Sequence, residues 1–183
     1  MKDWFKRFTD FDDPNKLMPW KDKSPEPQGE TPEDRPEIPI KPGWYFAMYF
    51  IMGVGFDTLF PTYAFPENVR FTLGVGLVFA GAVLNSISLV RYRNARTNHE
   101  TDKPAHVLIT EGPYRFSRNP IYLGYICLFL GLGIFLNNLW IFVLGAPLLA
   151  TVQVVIIARE EDYLTEKFGE EYGEYCQSVR RWL

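Results

Sequence analysis

From Ile121 to Ala158 the chain runs for 38 residues without a charged side chain. A bilayer's hydrocarbon core, about 30 Å thick, is crossed by ~20 apolar residues in a helix, and backbone polar groups left unpaired in lipid are so costly that a spanning chain must be helical or a closed barrel. The run is too long for one crossing, and Asn137 and Asn138 near its middle divide it into spans 121–136 and 139–158, with Pro147 a candidate kink in the second. Two more stretches fit the same pattern: 71–90, which is uncharged, and 44–60, which is aromatic-rich, holds only Asp57 as a charge and is closed by Pro61. Of the 41 charged residues, 18 fall in residues 1–42 and eleven in 159–183, so the average composition conceals a segregated chain. An ordinary water-soluble globule is excluded. The fold class expected is an all-α integral membrane protein with about four transmembrane helices and an amphipathic C-terminal helix.

Charge and cysteine content narrow the function. Nineteen Lys and Arg against 22 Asp and Glu leave a formal net charge of −3, with no dense basic patch, so nucleic acid is not an expected partner. Cys127 and Cys176 lack metal-ligand spacing, and neither a metal site nor a disulfide framework is expected. Residues 1–42 hold eight of the fourteen prolines in a charged setting, which reads as an extended cytoplasmic tail with room for a protein partner. Within it Trp4, Phe5, Phe8 and Phe11 recur at helical spacing beside Lys2, Lys6 and Arg7, which fits an interfacial helix or a mobile end with chance aromatics. The start of the chain is too polar for a signal peptide.

The membrane domain is read as 43–183. Gly74, Gly76, Ala80, Gly81 and Ala82 in the second span form a candidate packing face, since small residues let helices approach in lipid. Asp57 is read as interfacial because it sits one turn from Pro61. Past Ala158, Leu164, Phe168, Tyr172, Tyr175, Val179 and Trp182 recur at steps of three and four, predicting an amphipathic helix over 160–183, interrupted by Gly169 and Gly173. Arg91, Arg93, Arg96, Lys103, Arg115 and Arg118 lie between spans two and three, whereas Arg70 alone flanks the preceding loop. The positive-inside rule then makes 91–120 cytoplasmic, and with four spans both termini as well.

Polar chemistry converges on that face. Both histidines, His99 and His106, precede the run from Thr110 to Tyr122, and Arg159, Glu160 and Glu161 end the fourth span at the same depth. One reading is a polar pocket at the membrane surface, roofed by the amphipathic tail; the other is a solvated loop whose cations only fix topology.

The segment HVLITEGPYRFSRNPIYLGY, followed after a two-span hairpin by REEDYLTEKFGEEYGEYCQSVRRW, strongly resembles the isoprenylcysteine carboxyl methyltransferase and phospholipid methyltransferase superfamily, over 106–183. The resemblance implies a membrane methyltransferase that uses S-adenosylmethionine and acts on a lipophilic or amphiphilic acceptor from the bilayer. It implies a cytoplasmic cofactor-binding loop, with cofactor contacts from His106, Val107, Leu108 and Ile109, from Tyr114, from Asn119, Pro120, Ile121 and Tyr122, and from Glu160. Arg159, Glu161, Arg118 and His99 are the further catalytic candidates. Two positions depart from the prenylcysteine enzymes: Asn119 replaces their histidine, and Ile156, one turn before Glu160, replaces an arginine for the substrate carboxylate. The second departure predicts a neutral or zwitterionic acceptor, because a carboxylate buried there would lack a partner. A non-catalytic adaptor that recruits a partner through the tail, or a sterol-reductase-like enzyme, are the rival readings. For the topology, reporter fusions at Met1 and Leu183 should both report cytoplasm, and fusions on opposite sides would break the four-span count.

Overall fold

The computed structural model describes residues 36, 38–94 and 107–183. Most of the N-terminal tail, including Trp4, Phe5, Phe8 and Phe11, lies outside the described residues, as do His99 and His106, Arg96 and Lys103. The described chain is helical, without a strand. Helix α1 is Pro42–Leu59. Helix α2 begins at Glu67–Val69, passes through a π-helical stretch at Arg70–Gly74 and continues as Val75–Asn94. A 3-10 turn at Gly112–Arg115 precedes α3, Pro120–Phe135. Helix α4 joins Leu139–Thr151, a π-helical stretch Val152–Ile157 and Ala158–Phe168 without a break, and α5 is Glu170–Ser178.

Two of these helices are long and apolar enough to cross a membrane, Glu67–Tyr92 with 26 residues and Leu139–Phe168 with 30. Helix α3 is apolar but has only 16 residues, and α1 has 18. The fourth span was expected to stop at Ala158, where the apolar run stops. It does not, because no backbone breaker stands there, and α4 carries Glu160 and Glu161 onward as a continuous helix. The single amphipathic helix expected over 160–183 is instead two helices, broken where Gly169 takes φ 52°, and the chain leaves helical conformation after Ser178. The last residues are extended because their carbonyls are used elsewhere: Arg180 O accepts from the Arg118 amide at 3.0 Å, and Arg181 O from Asn119 Nδ2 at 3.0 Å.

Helices α2 and α3 touch backbone to backbone. A Cβ on Gly81 would lie 2.6 Å from Gly124 O, one on Gly74 would lie 2.9 Å from Phe135 N, and one on Gly131 would lie 2.8 Å from Val78 N. Of the small residues singled out in this span, Gly74 and Gly81 make the contact; Ala80 and Ala82 are exposed, and a Cβ on Gly76 would meet nothing within 4 Å. The contact stripe continues through the fully buried Ser88, giving positions seven apart, and Gly124 and Gly131 repeat the interval on α3. A seven-residue repeat keeps one seam facing its partner along two left-handedly crossing helices.

The other half of the core joins α1 to α4. Phe46, Tyr122, Phe129, Ile141, Leu148, Val152, Ile156 and Ile157 form one buried cluster. At one end of the bundle the turn between α3 and α4 is locked by its two asparagines. Asn137, at φ 58°, accepts from the amides of Ala64 and Phe65, while Asn138 caps α4 at Ile141 N and donates to Gly53 O. Asp57 accepts from the amide and hydroxyl of Thr62, a role in closing the turn after α1.

These contacts predict different outcomes at neighbouring glycines. Gly81→Val should cost about 1–3 kcal/mol or more by overpacking against α3, whereas Gly76→Val should change stability by less than ~0.5 kcal/mol. Thermal unfolding of both variants in detergent would check this, and equal behaviour would remove the seam.

Candidate functional site

At the end of the bundle away from Asn137 and Asn138, a cavity of about 560 Å³ opens between the first turns of α1 and α3, the last turns of α2 and the Glu160 level of α4. Each wall has a local cause. Pro120 at the first position of α3 fixes where that helix begins, which aims Tyr122 inward. Tyr122 donates to Glu160 Oε1 at 2.6 Å, tying α3 to α4. The 3-10 turn carries Tyr114, 5% exposed, and begins at Gly112 with φ 62°, where a Cβ would lie 2.8 Å from Arg91 Nε. Glycine is required there both for the backbone conformation and for the arginine's passage. The Tyr114 ring meets Tyr92 edge to face at 5.8 Å between centroids, and its carbonyl accepts from Tyr175 Oη at 2.7 Å. Burial, and next the neighbouring Tyr92, hold the Tyr114 hydroxyl well above the usual tyrosine range, so it stays protonated at any physiological pH.

Behind this wall lies an ionic clamp. Glu161 receives both Nε and Nη2 of Arg181, and Arg118 Nη1 stands 3.3 Å from its Oε1. Arg118 Nη1 also donates to Cys176 Sγ on α5, and Ser117 and Asn119 both hydrogen-bond to Arg181 O. Cys176 on α5 and the carbonyls of Arg180 and Arg181 thus fasten the end of the chain to residues 117–119, just before α3.

Among the residues singled out from the sequence, Tyr114, Asn119, Pro120, Ile121, Tyr122 and Glu160 line the cavity together with Arg118. Val107, Leu108 and Ile109 are half-buried and do not line it; Arg159 is exposed, and Glu161 is turned into the clamp. Sequence reasoning missed two walls. One is the start of α1, where Lys41 to Trp44 and Ala47 contribute. The other is the stripe Asn85, Leu89 and Tyr92 on α2, for which the available signal was a polar residue inside an uncharged span. Ile156 is wholly buried in the core cluster and does not line the cavity, whereas Arg118 and Lys41 do, so cations stand on the wall despite the missing arginine.

The clamp generates its own prediction. With Glu161→Ala, Arg118 and Arg181 lose their shared carboxylate, and amides of residues 179–183 should exchange with deuterium at least tenfold faster while those of α3 remain protected. Unchanged exchange would show that the carbonyl contacts of Arg180 and Arg181 suffice alone.

The fold and site define a helical membrane protein with its polar chemistry at one end of the bundle, and comparison with known proteins gives the family. The phospholipid methyltransferase family model matches residues 69–171. A probable protein-S-isoprenylcysteine O-methyltransferase of Oryza sativa subsp. indica is 30% identical over 160 residues, covering 79% of this chain and 77% of that protein. The protein-S-isoprenylcysteine O-methyltransferase of Saccharomyces cerevisiae is 32% identical over 128 residues, 64% of this chain and 50% of that one. In architecture the chain is similar to a eukaryotic intramembrane Ras methyltransferase, an isoprenylcysteine carboxyl methyltransferase, with a TM-score of 0.58 and 24% identity over 75% of this chain. The chain spans about half the length of that solved protein, covering 50% of it. It belongs to the phospholipid methyltransferase family of integral membrane proteins.

Proposed function

We propose that the cavity binds S-adenosylmethionine and that the protein transfers its methyl group to a lipophilic or amphiphilic acceptor entering from the bilayer. The observation that carries this reading is the Tyr122–Glu160 pair, a carboxylate with a 2.6 Å tyrosine donor on the wall of an aromatic-lined cavity, in a chain of a methyltransferase family. The residues present fit the group. Glu160 offers oxygens to ribose hydroxyls or an amino group, and Trp44, Tyr92, Tyr114 and Tyr122 offer ring faces to a cationic sulfonium. The bound cofactor supplies a methyl carbon already activated for in-line displacement. The protein's own work is alignment and exclusion of water. Tyr122 holds the Glu160 carboxylate in place, Tyr114 closes the wall beside α2, and the clamp around Glu161 keeps α5 over the loop. Glu161 is poorly suited to act as a base, since both its oxygens are engaged by arginines.

This reading retains the topology proposed from charge, with both termini cytoplasmic and α1 and α3 crossing together with α2 and α4. The acceptor is left to chemistry rather than to position 156. Arg118 and Lys41 on the wall mean that an acceptor carboxylate would not enter an environment without cations. Carboxylate, amine, thiol and phenol lipids are therefore all arms of the test.

Glu160→Ala should weaken S-adenosylmethionine binding by ~2 kcal/mol or more, the scale of a lost charge-assisted hydrogen bond, without loss of helix content. Calorimetry on protein in lipid discs measures it, and unchanged affinity in the folded variant would remove Glu160 from the site. Incubation with radiolabelled methyl donor and N-acetyl-farnesylcysteine, hexadecylamine, hexadecanethiol or a prenylated phenol then identifies the acceptor class.

A further inference from the structure

Tyr114, Arg118 and Asn119 line the cavity from one short stretch before α3, and each is gripped by the C-terminal segment. Tyr175 Oη donates to the Tyr114 carbonyl at 2.7 Å. Arg118 is held at two points, its amide on Arg180 O at 3.0 Å and its Nη1 on Cys176 Sγ. Asn119 Nδ2 donates to Arg181 O at 3.0 Å. Among the described residues the lining ends, along the chain, at Glu160, so none of the gripping residues reaches the cavity itself. This segment can act on a ligand only through the wall residues that it holds.

Arg181 grips the wall twice, through separate groups. Its carbonyl takes the Asn119 amide and, at 3.3 Å, the Ser117 hydroxyl. Its Nε donates to Glu161 Oε1 at 3.1 Å, and the same oxygen stands 3.3 Å from Arg118 Nη1. Main chain and side chain thus end on two neighbouring wall residues. The Arg181 side chain is 35% exposed, so its ion pair adds little to the stability of the whole. The bundle has its own contacts in the glycine seam and the core between α1 and α4. What Arg181 fixes is local: a ligand finds Arg118 and Asn119 already placed and does not have to order them. We propose that Arg181 is a positioning residue for the donor site, holding Asn119 through its carbonyl and Arg118 through Glu161, so that closure of the C-terminal segment and binding of S-adenosylmethionine favour each other. This inference rests on the methyltransferase reading above and adds a control point to it, since drawing the C-terminus away lowers donor affinity. The coupling is reciprocal: the donor slows opening of the segment by the factor by which opening weakens the donor.

The experiment uses the full chain in lipid discs as wild type, Arg181→Ala, Arg181→Lys, Glu161→Ala and the double variant Arg181→Ala with Glu161→Ala. By calorimetry the Kd for S-adenosylmethionine should rise about fivefold or more in Arg181→Ala. Arg181→Lys should recover part of the loss, because an ammonium still pairs with Glu161. The double variant should bind no more weakly than Glu161→Ala alone, since the side chain acts through that carboxylate. The melting temperature of the Arg181→Ala apoprotein should fall by no more than about 3 °C. Cys176 does not line the cavity, so its reaction with a water-soluble maleimide, mapped by peptide mass, reports the segment without direct shielding by the donor. Saturating S-adenosylmethionine should slow that reaction about fivefold or more in wild type, and Arg181→Ala should quicken it in the apoprotein. A wild type that binds the donor beside an Arg181→Ala of equal affinity overturns the inference and leaves the methyltransferase reading standing. So does Cys176 reactivity that the donor leaves unchanged or raises, or a large fall in melting temperature accompanying the lost affinity, which would mark a structural residue. A double variant weaker than Glu161→Ala overturns the route through Glu161. A wild type that binds no S-adenosylmethionine overturns the methyltransferase reading, and this inference falls with it.

Discussion

The close approach of α2 and α3 is the contact on which the rest of the molecule depends. In lipid, neighbouring helices gain nothing from expelling water, and association rests on van der Waals contact and interhelical hydrogen bonds. Gly74 and Gly81 on one side and Gly124 and Gly131 on the other let main-chain atoms touch, so the two helices are held at a distance no larger side chain would permit. That distance in turn sets the width of the cavity. Asn85 and Tyr92 reach the same space as Tyr122 only because α2 runs this close to α3.

Two adjacent glutamates two turns before the end of α4 illustrate how helix geometry divides labour. Successive residues point ~100° apart around a helix, so Glu160 faces the cavity and Glu161 faces α5 and the C-terminus. Glu160 meets a tyrosine donor, which leaves acceptor capacity on the carboxylate for a ligand. Glu161 meets two arginines and is spent on holding the tail. Their neighbour Arg118 sits between the two functions, on the cavity wall yet bound to the clamp. A ligand in the cavity and the fastening of the C-terminal residues are thereby linked through one side chain.

The family relation and the physical reading meet at α3 and α4. The family model covers residues 69–171, which takes in the glycine seam, the turn with Tyr114 and both halves of the Tyr122–Glu160 pair. It stops early in α5, before the extended tail in which Arg181 O accepts from Ser117 and Asn119 and Arg180 O accepts from the Arg118 amide.

Segregated charge and uncharged runs were enough to determine, from sequence, a helical membrane protein and the end of the bundle where polar groups gather, because lipid tolerates no unpaired backbone and little charge. The tight turn at Asn137 and Asn138 and the cavity residues Tyr114, Asn119, Tyr122 and Glu160 were legible too, the latter through their motif. What needed the tertiary structure was which of several candidates share a space. Gly81 and Gly76 look alike in a row of small residues, but only the crossing geometry buries one and exposes the other. Glu160 and Glu161 are chemically identical, and rotation about α4 alone separates cavity from clamp. Ile156 was weighed as a missing cation although its side chain belongs to the core, and Asn85 was passed over because only the approach of α2 to α3 brings it to the cavity wall.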